Sequence, residues 1–83
     1  MIKNSLEWSD NRLELLRTMH QLPYNRDLRQ VLSNIDTMVS KLSMAEVPAR
    51  RLHQDTSKLP ELKQVNDAIE TLEQWLMLAA LMR

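Results

Sequence analysis

The chain has 83 residues with 11 basic and 11 acidic side chains, and it contains neither glycine nor cysteine. The lack of cysteine excludes disulfides and thiolate metal sites. The lack of glycine argues against β-hairpins, phosphate-binding loops and Rossmann units, which use glycine at positive φ. A net charge of zero provides no general attraction to nucleic acid or to anionic membranes.

The first predicted helix covers about residues 5–22. Asn4 or Ser5 can cap it, and Glu7 places an acid in its first turn. Pro23 disfavours its continuation. The sequence leaves open whether this helix packs on the rest of the chain. Its apolar residues recur at spacings of three, four and seven, typical of one helix face: Leu6, Leu13, Leu15, Leu16, Met19 and Leu22.

The second predicted helix covers about residues 26–45 and has the most regular pattern. Asn25 is its expected cap, and Pro48 predicts that it ends near Glu46, followed by a short helical turn near 48–54. Residues 47–59 therefore remain open as a loop, a short helix or a kink. The apolar positions of the second helix are Leu28, Val31, Leu32, Ile35, Met38, Val39 and Leu42.

The third predicted helix covers about residues 60–82, with Pro60 at its first position. Its apolar residues follow a seven-residue repeat, as in a coiled coil, and polar residues occupy the opposite face up to Gln74. Together the patterns predict one all-α domain over residues 1–83. Its architecture is either a small three-helix bundle or a helical hairpin with an N-terminal helix.

The segment from Trp75 to Met82 consists of apolar residues only. Eight residues are too few to span a bilayer, which takes about 20. One helix face cannot bury them all, so either the chain's own core encloses this tip or a partner covers it. A tryptophan among leucines and methionines is typical of an interface, which we favour. The expected partner-binding residues are Trp75, Leu76, Leu78, Leu81 and Met82.

A basic joint lies between the second and third helices. Arg50, Arg51 and Lys58 form a candidate polar contact site for phosphates or for an acidic surface, although solvated positions are the commoner outcome. An alternative function follows from these residues together with Arg26 and Arg29. They could serve a small dimeric helical regulator that binds nucleic acid, provided that all five converge on one face.

Residues suited to catalysis or to metal binding do not form a recognisable constellation. His20 and His53 lack a second ligand at helical spacing, and Glu70 and Glu73 lie on the predicted polar face. The serines have simpler explanations as caps or surface residues. The sequence therefore predicts a protein that is not an enzyme, without a cofactor, a metal or a small-molecule substrate.

The functional expectation is a helical protein-interaction module, such as an adaptor, a chaperone or a regulator. It would bind another protein or itself as an oligomer, with no membrane and no nucleic acid as the main partner. The first residues lack the apolar stretch of a signal peptide, and no stretch has transmembrane length, so we expect a cytoplasmic protein.

Overall fold

The computed structural model describes residues 1–82 and confirms an all-α fold with three helices. A 3-10 turn, Ser5–Glu7, leads into α1, Trp8–His20. Helix α2 is Arg26–Arg51, and after a second 3-10 turn, Thr56–Lys58, helix α3 is Pro60–Leu81. The bundle is elongated, with extents of 49 × 18 × 15 Å.

Helices α2 and α3 form an antiparallel hairpin that contains most of the core. Asn25 begins α2 as predicted, because its side-chain oxygen accepts hydrogen bonds from the N–H groups of Asp27 and Leu28 at 2.9 and 3.2 Å. Pro60 occupies the start of α3, where its missing N–H has no partner to lose. The seam of the hairpin consists of Leu28, Leu32, Ile35, Val39 and Leu42 from α2, and Leu62, Val65, Ile69, Leu72 and Leu76 from α3.

The end of α2 differs from the prediction. The helix continues through Pro48 to Arg51 instead of ending near Glu46 and restarting near residue 48. Pro48 lies on the exposed side of α2, where solvent can reach the carbonyl that its missing N–H leaves without a partner. Glu46 and Ala49, on either side of it, are buried. Because these two neighbours are buried, this stretch of α2 stays helical and packed in the bundle despite the proline.

Helix α2 ends in a Schellman motif built without glycine. The N–H of Gln54 donates to the carbonyl of Ala49 at 2.8 Å, and that of His53 donates to the carbonyl of Arg50 at 3.1 Å. His53 has φ = 56°, the left-handed conformation that glycine normally provides at this position.

Helix α1 packs on the hairpin, which answers the question that the sequence left open. It is shorter than the predicted 5–22 helix, and its buried residues are Trp8, Leu15 and Met19, whereas Leu6 and Leu13 are exposed. Ser5 bonds to Glu46, while Arg12 bonds to Asp36, so α1 runs antiparallel to α2.

Candidate interaction surface

The C-terminal turns of α3 present a cluster of exposed apolar side chains. Trp75 is 44 % exposed, Leu78 56 %, Leu81 77 % and Met82 85 %. Leu76 is different: its side chain is only 3 % exposed, because it continues the buried seam of α3 one turn beyond Leu72. We call the exposed cluster at this end the apolar pole; it consists of Tyr24, Trp75, Met77, Leu78, Leu81 and Met82.

The apolar pole continues a stripe of α3 that is polar over the earlier turns. Steps of three and four residues connect the exposed side chains of this stripe, so they share one helix face. All positions of this stripe are exposed, but they are polar up to Gln74 and leucine after it. In order, the stripe is Lys63, Asp67, Glu70, Gln74, Leu78 and Leu81.

The connection between α1 and α2 borders the apolar pole. Two shallow cavities of about 260 and 300 Å³ lie between this connection and the end of α3, and Met82 lines both of them. Tyr24 lines the larger cavity. The guanidinium carbon of Arg29 lies over the Tyr24 ring, 5.8 Å from its centre. Tyr24 was not among the predicted contact residues, although in an up-and-down bundle the first connection and the end of the third helix must meet.

The predicted basic residues lie at two separate ends of α2. Arg26 and Arg50 are 24 residues apart in one helix, which corresponds to about 36 Å. Arg50 forms an ion pair with Glu46 at 3.4 Å, and Arg51 lies beside it in the last turn. The structure therefore does not bring Arg26 and Arg29 together with Arg50, Arg51 and Lys58.

Lys58 belongs to a small polar turn with Asp55 and Ser57. The pKa of Asp55 is lowered mainly because the Ser57 hydroxyl donates to its Oδ1 at 2.6 Å; the Ser57 N–H, which donates at 3.0 Å, and the charge of Lys58 lower it further. Asp55 is fully exposed, so the turn forms a cap and not an enclosed site.

A furrow along α1 is the second concave feature, and α3 borders the part nearest the apolar pole. One part, about 330 Å³, has an apolar floor of Leu15, Leu76, Met77 and Ala80, with Asn11, Glu14, Thr18 and Glu73 along its sides. A second part, about 220 Å³, continues past Asn11 and Glu14 to Glu7, Asp10, Met1 and Ile2. We call the two parts together the acidic furrow. Glu73 was predicted only as part of a solvated face.

Three polar contacts attach the N-terminal segment to the hairpin. The side-chain amide of Asn66 accepts from the N–H of Ile2 and donates to its carbonyl, both at 2.9 Å. Asp36 accepts from the indole N–H of Trp8 at 2.8 Å and from Arg12 at 3.0 Å. The third contact joins Glu46 to Ser5. These contacts fix one wall of the acidic furrow.

The described residues offer no arrangement suited to bound metal. Within residues 1–82, no three histidine or acidic side chains are grouped so that they could hold an ion. None of the helices in that range combines the length and the apolar character needed to cross a membrane. In comparisons with known proteins, no family model, no curated protein and no solved structure matches the chain.

Proposed function

We propose that this protein is a non-enzymatic helical interaction module, of the adaptor, chaperone or regulator kind, that binds a partner protein through its apolar pole. The observation that carries the proposal is the exposure of Trp75, Leu78, Leu81 and Met82 beside a hairpin seam that is already complete. These side chains are not needed to fill the core, and their contact with water opposes solubility. Burial against a partner would remove that cost.

The composition of the apolar pole also supports this proposal. Tryptophan and tyrosine are enriched among residues that dominate binding energy, and methionine adapts its shape to different partners. Trp75 and Tyr24 border adjacent cavities that would accept side chains of a partner. A cytoplasmic location is part of the same proposal, since a chain without cysteine suits a reducing compartment.

The test compares Leu78→Lys with Gln74→Lys. Both positions are exposed on the same stripe of α3, one turn apart, and both variants gain one lysine. Light scattering over a concentration series measures self-association, and a pull-down from the native host measures capture of a different protein. We expect Leu78→Lys to lose the complex and Gln74→Lys to retain it.

A replacement of Trp75 by alanine examines the anchor directly. We expect it to weaken the complex by about 2 kcal/mol, the usual scale for a central aromatic residue. A monomeric wild-type protein that captures no partner would contradict the proposal. So would a complex that Leu78→Lys and Gln74→Lys affect equally.

A further inference from the structure

We propose that the acidic furrow binds a basic amphipathic helix from a partner protein. This inference goes beyond the proposed function, because it assigns a second contact site and the chemical class of the partner that fits it. Its contact site is separate: Met77 is shared by the acidic furrow and the apolar pole, whereas Leu78, Leu81 and Met82 do not line the furrow. The two proposals can therefore fail independently.

The shape of the acidic furrow suits a helix. It runs from Glu7, at the end of the first 3-10 turn, along α1 to Thr18, a rise of about 16 Å or three helical turns. Its floor, formed by Leu15, Leu76 and Met77, is apolar along the part nearest the apolar pole. Helices that bind in such grooves insert apolar residues at spacings of three, four and seven.

The charge of the acidic furrow defines the polar side of that helix. Glu7, Asp10, Glu14 and Glu73 line it, and no lysine or arginine side chain does; the terminal amino group of Met1 is the one basic group on a lining residue. None of these four carboxylates forms an ion pair within the described part of the chain. Lysine or arginine residues beside the apolar anchors of a partner would meet them, while an acidic helix would be repelled.

A hydrogen-bond acceptor inside the acidic furrow also lacks a partner. Asn11 Oδ1 is shielded from solvent and accepts no hydrogen bond from any residue in 1–82, although its side chain lines both parts of the furrow. Buried polar atoms without partners are uncommon in native proteins. The Asn11 amide must rotate toward the furrow before this oxygen can accept a bond, and a donor from a bound helix would favour that rotation.

A second copy of this chain is a poorer occupant. The nearest arginines of the two groups in α2, Arg29 and Arg50, are about 32 Å apart, about twice the length of the furrow. Arg50 is also already paired with Glu46. No stretch of α2 between Arg29 and Arg50 presents more than one basic residue, Lys41. The charge pattern therefore favours a helix of another protein.

The experiment uses a fluorescein-labelled amphipathic peptide of leucine and lysine, about 14 residues long to cover the furrow. A leucine and glutamate peptide of the same pattern is the control. Fluorescence anisotropy measures binding to the full-length protein. We expect Glu14→Lys and Glu73→Lys each to weaken binding of the lysine peptide roughly tenfold, through a lost attraction and a new repulsion.

Asp67→Lys is the matched control, because it makes the same charge change on an exposed position of α3 outside the furrow. We expect it to change binding by less than about twofold. Glu14→Gln and Glu73→Gln provide milder variants, and circular dichroism checks that all of them fold. Amide chemical shifts should change at Asn11, Thr18 and Ala80, and Leu78→Lys should still bind the peptide.

Any of the following results would overturn the inference: no binding of the lysine peptide, equal binding of the glutamate peptide, an equal effect of Asp67→Lys, or displacement of a second copy by the peptide in light scattering. Shifts confined to Tyr24 and Trp75 would also overturn it, while leaving the proposed function of the apolar pole intact. Conversely, if the peptide binds the acidic furrow but the apolar pole forms no complex, only the proposed function would be contradicted.

Discussion

The carboxylate of Glu46 caps the N-terminal segment from a distance of 41 residues in the sequence, accepting the Ser5 N–H at 3.0 Å and the Ser5 hydroxyl at 2.5 Å. Glu46 is 1 % exposed, and its only ion-pair partner in residues 1–82 is the half-exposed Arg50. A buried carboxylate is tolerated only when it is hydrogen-bonded in this way. The contact therefore couples the position of α1 to the fold of α2.

Glu46→Ala should destabilise the protein by about 2 kcal/mol, because it removes hydrogen bonds to a charged group and leaves the Ser5 donors unpaired. Urea unfolding measures the free energy of unfolding. Glu70→Ala, at an exposed position of α3, is the control and should change it by less than about 0.5 kcal/mol. Similar values for the two variants would show that the Glu46–Ser5 contact contributes nothing to stability.

Pro48→Ala should stabilise the protein by about 1 to 2 kcal/mol. Alanine restores the N–H that proline lacks inside α2, and this gain exceeds the added freedom of the unfolded chain. Thermal unfolding followed by circular dichroism would measure the change. Pro60→Ala is the comparison, since proline at the start of α3 is favourable and its removal should not stabilise. A loss of stability in Pro48→Ala would refute the argument.

His53→Gly should stabilise the protein by about 0.5 to 1 kcal/mol, because glycine adopts φ = 56° without the steric cost that a Cβ imposes. Gln54→Gly is the control. The φ of Gln54 is not positive, so glycine there only increases the conformational entropy of the unfolded chain and lowers stability. Chemical denaturation of the two variants should move the midpoint in opposite directions. A shift in the same direction would contradict the proposed strain at His53.

The pKa of Asp55 should lie below its usual value in the folded protein and rise toward that value in Ser57→Ala, which removes the hydroxyl donor. A carboxyl-carbon NMR titration of Asp55 measures both values. Because the folded pKa is lowered, the interaction stabilises the fold above the unfolded pKa of about 3.9 and is lost as the pH falls through the folded value.

The stability deficit of Ser57→Ala should accordingly shrink when the pH falls from neutral to below the folded pKa of Asp55. Lys58→Met serves as a comparison. It should raise the pKa of Asp55 less than Ser57→Ala does, because the charge of Lys58 lowers that pKa less than Ser57 does. An Asp55 pKa that is the same in the wild type and in Ser57→Ala would rule out the hydrogen bond as the cause.

The hairpin shows how much could be predicted from local patterns. The spacing of Leu28, Leu32 and Ile35, and of Val65, Ile69 and Leu72, identifies buried faces that the structure confirms. The predicted end of α2 near Glu46 was wrong. The rule that proline stops a helix does not take account of the buried neighbours that hold Pro48 in place. The exposure of Leu78 and Leu81 agrees with the loss of a polar face after Gln74, whereas Leu76 belongs to the core.

The sequence by itself determined the all-α class and the buried seam, since helical periodicity is a local property that residues three and four apart express directly. Only the tertiary structure decided how α1 attaches. The contacts of α1 and of the segment before it join Asp36 to Trp8, Glu46 to Ser5 and Asn66 to Ile2, pairs that are 28, 41 and 64 residues apart. No local spacing predicts which distant donor satisfies a buried acceptor, because that choice depends on how whole helices pack. The part of the acidic furrow with the apolar floor exists for the same reason, because its two walls are α1 and α3, from opposite ends of the chain.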